Sequence, residues 1–132
     1  MQPSAIRQGL KANLESIPGL RVYEVIPSPA VAPAAIVGQL DFTFDLNNAR
    51  GLDQANLDVV VLVQRLAQKS AQNNLDKYLQ GSGTYSIKAA IESDLTLGGA
   101  CNTLRVTAAQ AGSYVSGDME FLSYRYTLTV WG

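Results

Sequence analysis

Met119-Glu-Phe-Leu-Ser-Tyr-Arg-Tyr-Thr-Leu-Thr-Val-Trp131 decides how the rest of the chain is read. Leu122, Tyr124, Tyr126, Leu128 and Val130 fall on every second position, with Ser123, Arg125, Thr127 and Thr129 between them. Side chains alternate faces along a strand, so this spacing lines one face with large apolar groups and the other with polar ones. A helix would scatter them around its axis. Aromatic and β-branched side chains also suit a pleated, half-buried surface. The stretch reads as a strand covered on one side by helices.

Working outward, Ala100 to Ala108 alternates in the same way, with Leu104 and Val106 set against Thr103, Arg105 and Thr107. Gln110 to Gly117 is rich in Gly and Ser and reads as a turn, so the two strands pair as an antiparallel hairpin. Leu57 to Gln64 is almost continuously apolar, the mark of a central strand buried on both faces. Leu20 to Ile26 is another strand. Ala34 to Val37 and Leu40 to Asp45 are one strand interrupted at Gly38, or two short ones, with Gly38 marking a bulge. Asp41 and Asp45 are read as polar-face residues, because no partner acid, base or metal ligand accompanies them.

The helices have a different period. Ile6, Leu10, Leu14 and Ile17 make one apolar stripe over Pro3 to Ser16, while Arg7, Lys11 and Glu15 share another face. Pro3 suits the first turn and Pro18-Gly19 ends the helix. Leu66 to Gln80 is a second helix, with Ala67, Ala71, Leu75, Tyr78 and Leu79 inward. A short third helix, capped by Ser82 or Thr84, runs through Ser93 with Ile87, Ala90 and Ile91 inward. Pro27 to Pro33 holds three prolines and reads as an extended connector. Asn47 to Asn56 is a polar loop. The expected fold is α+β: a mixed or antiparallel sheet of four to five strands, helices on one face, order α-β-β-β-α-α-β-β, in one domain spanning 1–132.

The whole chain bounds the chemistry. Its 132 residues are enough for one domain with a core that needs no disulfide. Hydrophobic residues make up 47% and charged ones 16%, a globular balance. Net charge is −1, which argues against a domain built to grip nucleic-acid phosphates. There is no histidine and one cysteine, Cys101. Histidine-based triads, histidine-ligated metals and thiolate clusters are therefore excluded. Cys101 reads as a small, half-buried strand residue. Gly81-Ser82-Gly83 lacks the spacing to Lys88 that a phosphate-binding loop needs. No apolar run approaches a membrane span and no signal peptide is visible, so no membrane partner and synthesis in the cytoplasm are expected.

Two stretches carry a family resemblance. Ser86-Ile-Lys-Ala-Ala-Ile-Glu-Ser-Asp-Leu-Thr-Leu-Gly-Gly-Ala-Cys-Asn-Thr-Leu-Arg-Val106, together with the strand ending Leu-Thr-Val-Trp131, resembles the tail terminator proteins of long-tailed phages, most of all those infecting actinobacteria. The opening helix and the element order resemble them too. The resemblance implies a structural virion protein, not an enzyme, with no catalytic residue and no cofactor. It implies a hexameric ring at the head-proximal end of the tail, built in the host cytoplasm. Such a ring caps the tail tube protein below and meets a neck or head-completion protein above. DNA passes through the lumen without specific binding. A neck or head-completion connector of the same virion is the alternative, as is a small non-enzymatic binding module. If copies join side by side, the polar loop is where a neighbouring subunit or the tube is expected to make contact. Asn47, Asn48, Arg50, Asp53 and Gln54 are its interface candidates.

Overall fold

The structure is a computed structural model and describes residues 2–23, 34–45, 52–64, 73, 76–116 and 119–132. Its elements are α1 (Pro3–Leu14), β1 (Arg21–Tyr23), β2 (Ala34–Val37), β3 (Asp41–Thr43), β4 (Gln54–Gln64), α2 (Ile87–Ile91), a 3-10 turn (Leu97–Gly99), β5 (Thr103–Ser116) and β6 (Met119–Trp131). Residues 76–79 are also helical. The fold is α+β as expected, but the mixed sheet has six strands, not four to five, in the order β1-β2-β4-β6-β5 with β3 on β4.

β6 has the bounds and alternation expected of it. It lies between β4 and β5, antiparallel to both, and Tyr126, Leu128 and Val130 are buried on the helix side. Each pairs with an apolar residue on β4: Tyr126 with Val59, Leu128 with Leu57 and Val130 with Ala55. Ile6, Leu10 and Leu14 of α1 and Ile87 and Ile91 of α2 pack into the same cluster, so both helices cover one face of the sheet. The reverse face holds a smaller cluster of Ile36, Leu62 and Phe121. It also carries polar groups, including an exposed Arg125–Asp58 pair at 3.8 Å.

β4 is central, as expected. Val59, Val61 and Val63 are buried on the helix side; on the reverse face Leu62 is buried too, while Asp58 and Val60 are half-buried, so burial on both faces holds towards the C-terminal end of the strand. The expected loop is corrected at its C-terminal end. Gln54, Ala55 and Asn56 belong to β4, because β3 pairs with them on one side and β6 on the other. Of the two readings of 34–45, two short strands is the one found. Gly38 lies between them, and its N–H donates to the Asp58 carbonyl at 2.8 Å. A Cβ at Gly38 would stand 2.8 Å from that same oxygen, so the close approach of two backbones requires glycine.

β5 corrects the second loop. Gln110 to Ser116 is strand, paired residue for residue with β6 as far as Ser116 with Met119. Small side chains made this segment look like a turn, yet they do not block a ladder when a full-length partner lies alongside. The register shifts at a bulge between Val106 and Ala108. The cap of α2 is also corrected. Ser86, with extended backbone, accepts from the Ala89 N–H at 3.1 Å, so the helix starts after Ser82 and Thr84. The helix at Pro3 ends at Leu14, and Ser16 closes the next turn by donating to the Asn13 carbonyl at 2.7 Å.

Other expectations fall partly or wholly outside the described residues: Leu20 to Ile26 beyond Tyr23, the connector at Pro27 to Pro33, and most of Leu66 to Gln80. Within that helix, Tyr78 is buried as expected but Leu79 is exposed.

Candidate interface at the two sheet margins

Asn47, Asn48 and Arg50 lie outside the described residues. Asp53 and Gln54 stand at the end of the sheet where β4 meets β6. The Asp53 N–H donates to the Gly132 carbonyl at 2.8 Å, and the Gly132 N–H donates back at 3.0 Å. The Asp53 carboxylate accepts from the Asp45 N–H at 3.1 Å. Gln54 is paired through its backbone, and its side chain donates to Asn56 at 3.4 Å. These two residues are therefore fixed at the end of the sheet and are half-buried.

The sequence reading missed the residue most exposed for its kind in this corner. Phe44 is 68% exposed and stacks on Phe42, ring centroids 5.7 Å apart. Phe42 pairs with Ala55 and packs against the main core, so the stacked rings lie on the helix side of the sheet. The signal was the alternation that aligned Phe42 with Phe44. What alternation omits is that β3 ends at Thr43, so its last aromatic extends past the strand. Asp45, next along, has a positive φ of 55° and is exposed. Asp41 and Asp45 are both exposed, and among the described residues neither belongs to a group of acids that could hold a metal ion.

The opposite margin of the sheet is β5. At the level of Gln54 the order across is β3-β4-β6-β5, so Phe44 and β5 lie on opposite sides of the subunit. Beyond the bulge, Thr107, Ala108, Gln110, Ala111 and Gly112 are exposed. No charged residue occurs between Arg105 and Asp118. Edge strands are usually guarded by charge, proline or covering elements, because their free N–H and C=O groups invite another strand. Among the described residues, the bulge is what guards this one.

Under the bulge is a cleft of about 180 Å³, lined by Leu79, Lys88, Tyr126 and β5 from Val106 to Ala109. Tyr126 is 2% exposed, and its hydroxyl is the one buried side-chain polar atom without a partner among the described residues. Burial first, and Tyr124 second, push that hydroxyl well above the ordinary tyrosine range, so it stays a neutral donor. Lys88 at the rim is ion-paired with Glu92, one helical turn on.

A larger open groove of about 580 Å³ lies between α1 and the 3-10 turn. Gln2 and Gln8 are its polar side chains and the rest of its lining is small or apolar, so its side chains supply no acid, base or nucleophile. Among the described residues, no three of His, Cys, Asp and Glu are grouped to hold a metal ion. Cys101 is buried just before β5 and its thiol donates to the Leu95 carbonyl at 3.4 Å. Burial, with Asp94 second, pushes its pKa up, which favours the inert thiol. No described helix is long and apolar enough to cross a membrane.

Compared with models of known protein families, the chain matches none. No curated protein matches it as a relative.

Proposed function

We propose that this chain is a tail terminator of a long-tailed phage. Six copies close into a ring on the head-proximal end of the tail tube, stop its growth and offer the surface that joins the head. One observation carries the reading. The two stretches on which the resemblance rests form one structural unit. α2, the 3-10 turn and the start of β5 run directly onto the end of β6: the Asn102 N–H donates to the Trp131 carbonyl at 2.8 Å, and Leu104 pairs with Val130. A resemblance spread over unconnected surface pieces would carry far less weight than one that maps to a single packed corner.

The ring presents one surface to the tube and another to the neck, and DNA moves through its lumen. A near-neutral chain supports that, because phosphate contacts through many cations would hold the DNA. The polar stretch leading to Asp53 and Gln54 meets a neighbouring subunit or the tube.

The test is electron microscopy of a lysate from phage with a stop codon at Gln8. The expected picture is full heads and unjoined tails, many of them overlong. Normal-length tails joined to heads would end the terminator reading. Unjoined tails of normal length would move the protein to the head side of the neck.

A further inference from the structure

We propose that successive subunits join by a knob and a socket on opposite margins of the sheet: Phe44 of one copy enters the cleft beneath the β5 bulge of the next. The inference rests on the reading that the chain builds a ring, and it names the contact that would build it.

The socket is suited to a side chain. Small-molecule pockets run to about 300–1,000 Å³, and this cleft holds about 180 Å³. Its walls are mainly apolar: Leu79, which is 38% exposed, Val106, Ala109 and the Tyr126 ring. Tyr126 forms one of its walls, and Lys88 stands at its rim. The fitting occupant therefore has an apolar body with an acceptor next to it. Phe44 followed by the exposed carboxylate of Asp45 has both, and Asp45 also complements Lys88 at the rim.

The knob is suited to a partner. Among the described residues Phe44 is the most exposed of the large hydrophobic side chains, and aromatic anchors entering a pocket dominate the energetics of many interfaces. Knob and socket lie on the same face of one sheet, at its two margins. They cannot meet within one subunit. Two different patches on each copy make a heterologous contact, which closes into a ring when the rotation is right and otherwise continues as a filament. The uncharged edge of β5 lets identical copies approach without like-charge repulsion.

The test uses the purified full chain in native mass spectrometry over rising concentration. Wild type should form species larger than a dimer. Phe44→Ala keeps its socket and Ala109→Lys keeps its knob, so each alone should stay monomeric, while the two mixed should give a 1:1 heterodimer that grows no further. Leu79→Asp serves as a second socket variant should Ala109→Lys unfold, and thermal midpoints close to wild type confirm that each variant is folded. Wild-type chain that stays monomeric throughout overturns the inference. So does a Phe44→Ala chain that assembles as wild type does, or a mixture that fails to pair. Assembly surviving both substitutions would remove the knob and socket yet leave a ring, whereas a closed dimer broken by both would keep the contact and remove the ring. The lysate experiment judges the terminator role separately from either.

Discussion

β5 is one strand with two different lives. From Thr103 to Val106 it lies under the helices, where Leu104 and Val106 are buried against Val130 and Leu128. From Ala108 to Gly112 it keeps its ladder to β6, but most of its side chains are exposed. Backbone pairing is present in both halves; what changes at the bulge is the cover. A strand's burial is therefore decided by the layer above it, and the uncovered half keeps a free edge for another molecule.

The largest test of this contrast sets one substitution in each half. Leu128→Ala, beneath the helices, should cost about 2–5 kcal/mol, the range for emptying a filled core site. Ala111→Thr, on the uncovered half, should change stability by less than about 0.5 kcal/mol. Chemical denaturation of both variants measures the difference. Equal effects would show that the far half is as much a part of the core as the near half.

A smaller effect comes from loosening the cover itself. Gly9 of α1 stands against the 3-10 turn, and a Cβ there would lie 2.6 Å from the Leu97 Cβ. Leu97 has a positive φ of 50° and is buried, so it has little room to retreat. Gly9→Ala should destabilise by about 1–3 kcal/mol through overpacking. Hydrogen exchange should then speed up in the near half of β5 and stay unchanged in the far half. Faster exchange throughout β5 would mean that the halves are not independent.

The smallest effect lies in the turn that leads from α2 to β5. The Asp94 carboxylate accepts from the Thr96 hydroxyl at 2.9 Å, the Gly98 N–H at 2.9 Å and the Thr96 N–H at 3.2 Å. These bonds, the Thr96 hydroxyl foremost, hold its pKa below the usual aspartate value. For an acid shifted down on folding, the stabilisation is fully present above the unfolded value of about 3.9 and is lost as pH falls through the folded value. An NMR titration should place the Asp94 midpoint below that of a free aspartate, and Asp94→Asn should flatten the acid limb of the stability profile slightly. A midpoint at or above the free value would show that the turn does not use the carboxylate.

Much of this fold was legible where period and size agree. β6 could be read to the residue because five large groups alternate with polar ones, and β4 because a run of valines has few other homes. β5 was legible only as far as its large residues reach. Ala, Gly and Ser carry almost no periodic signal, so Gln110 to Ser116 looked like a turn until β6 supplied a partner for every position. Gln54 to Asn56 was lost for a related reason, since polar residues on the reverse face of a sheet resemble loop residues. Ser82, Thr84 and Ser86 offer the same capping chemistry within five residues, and only the backbone chooses between them. Of the candidate site, Asp53 and Gln54 were visible as polar residues beside a loop. Phe44 was visible as an aromatic, but its exposure depends on where β3 stops. The cleft was not legible, because its walls come from four separate parts of the chain and Tyr126 looks in sequence like any core tyrosine.

The position of β6 between β4 and β5 also sets the order of events when the chain folds. β5 and β6 are neighbours in sequence, so their hairpin closes a short loop and forms on the microsecond scale. β4 must wait, since Gln54 meets Trp131 only after the intervening chain has been gathered in. Its valine-rich centre has no complete partner on that side until the hairpin docks, and such pairing across long stretches slows folding towards milliseconds or longer. During that interval the molecule shows an apolar strand to its surroundings, so crowded refolding is where this chain is most easily lost to aggregation.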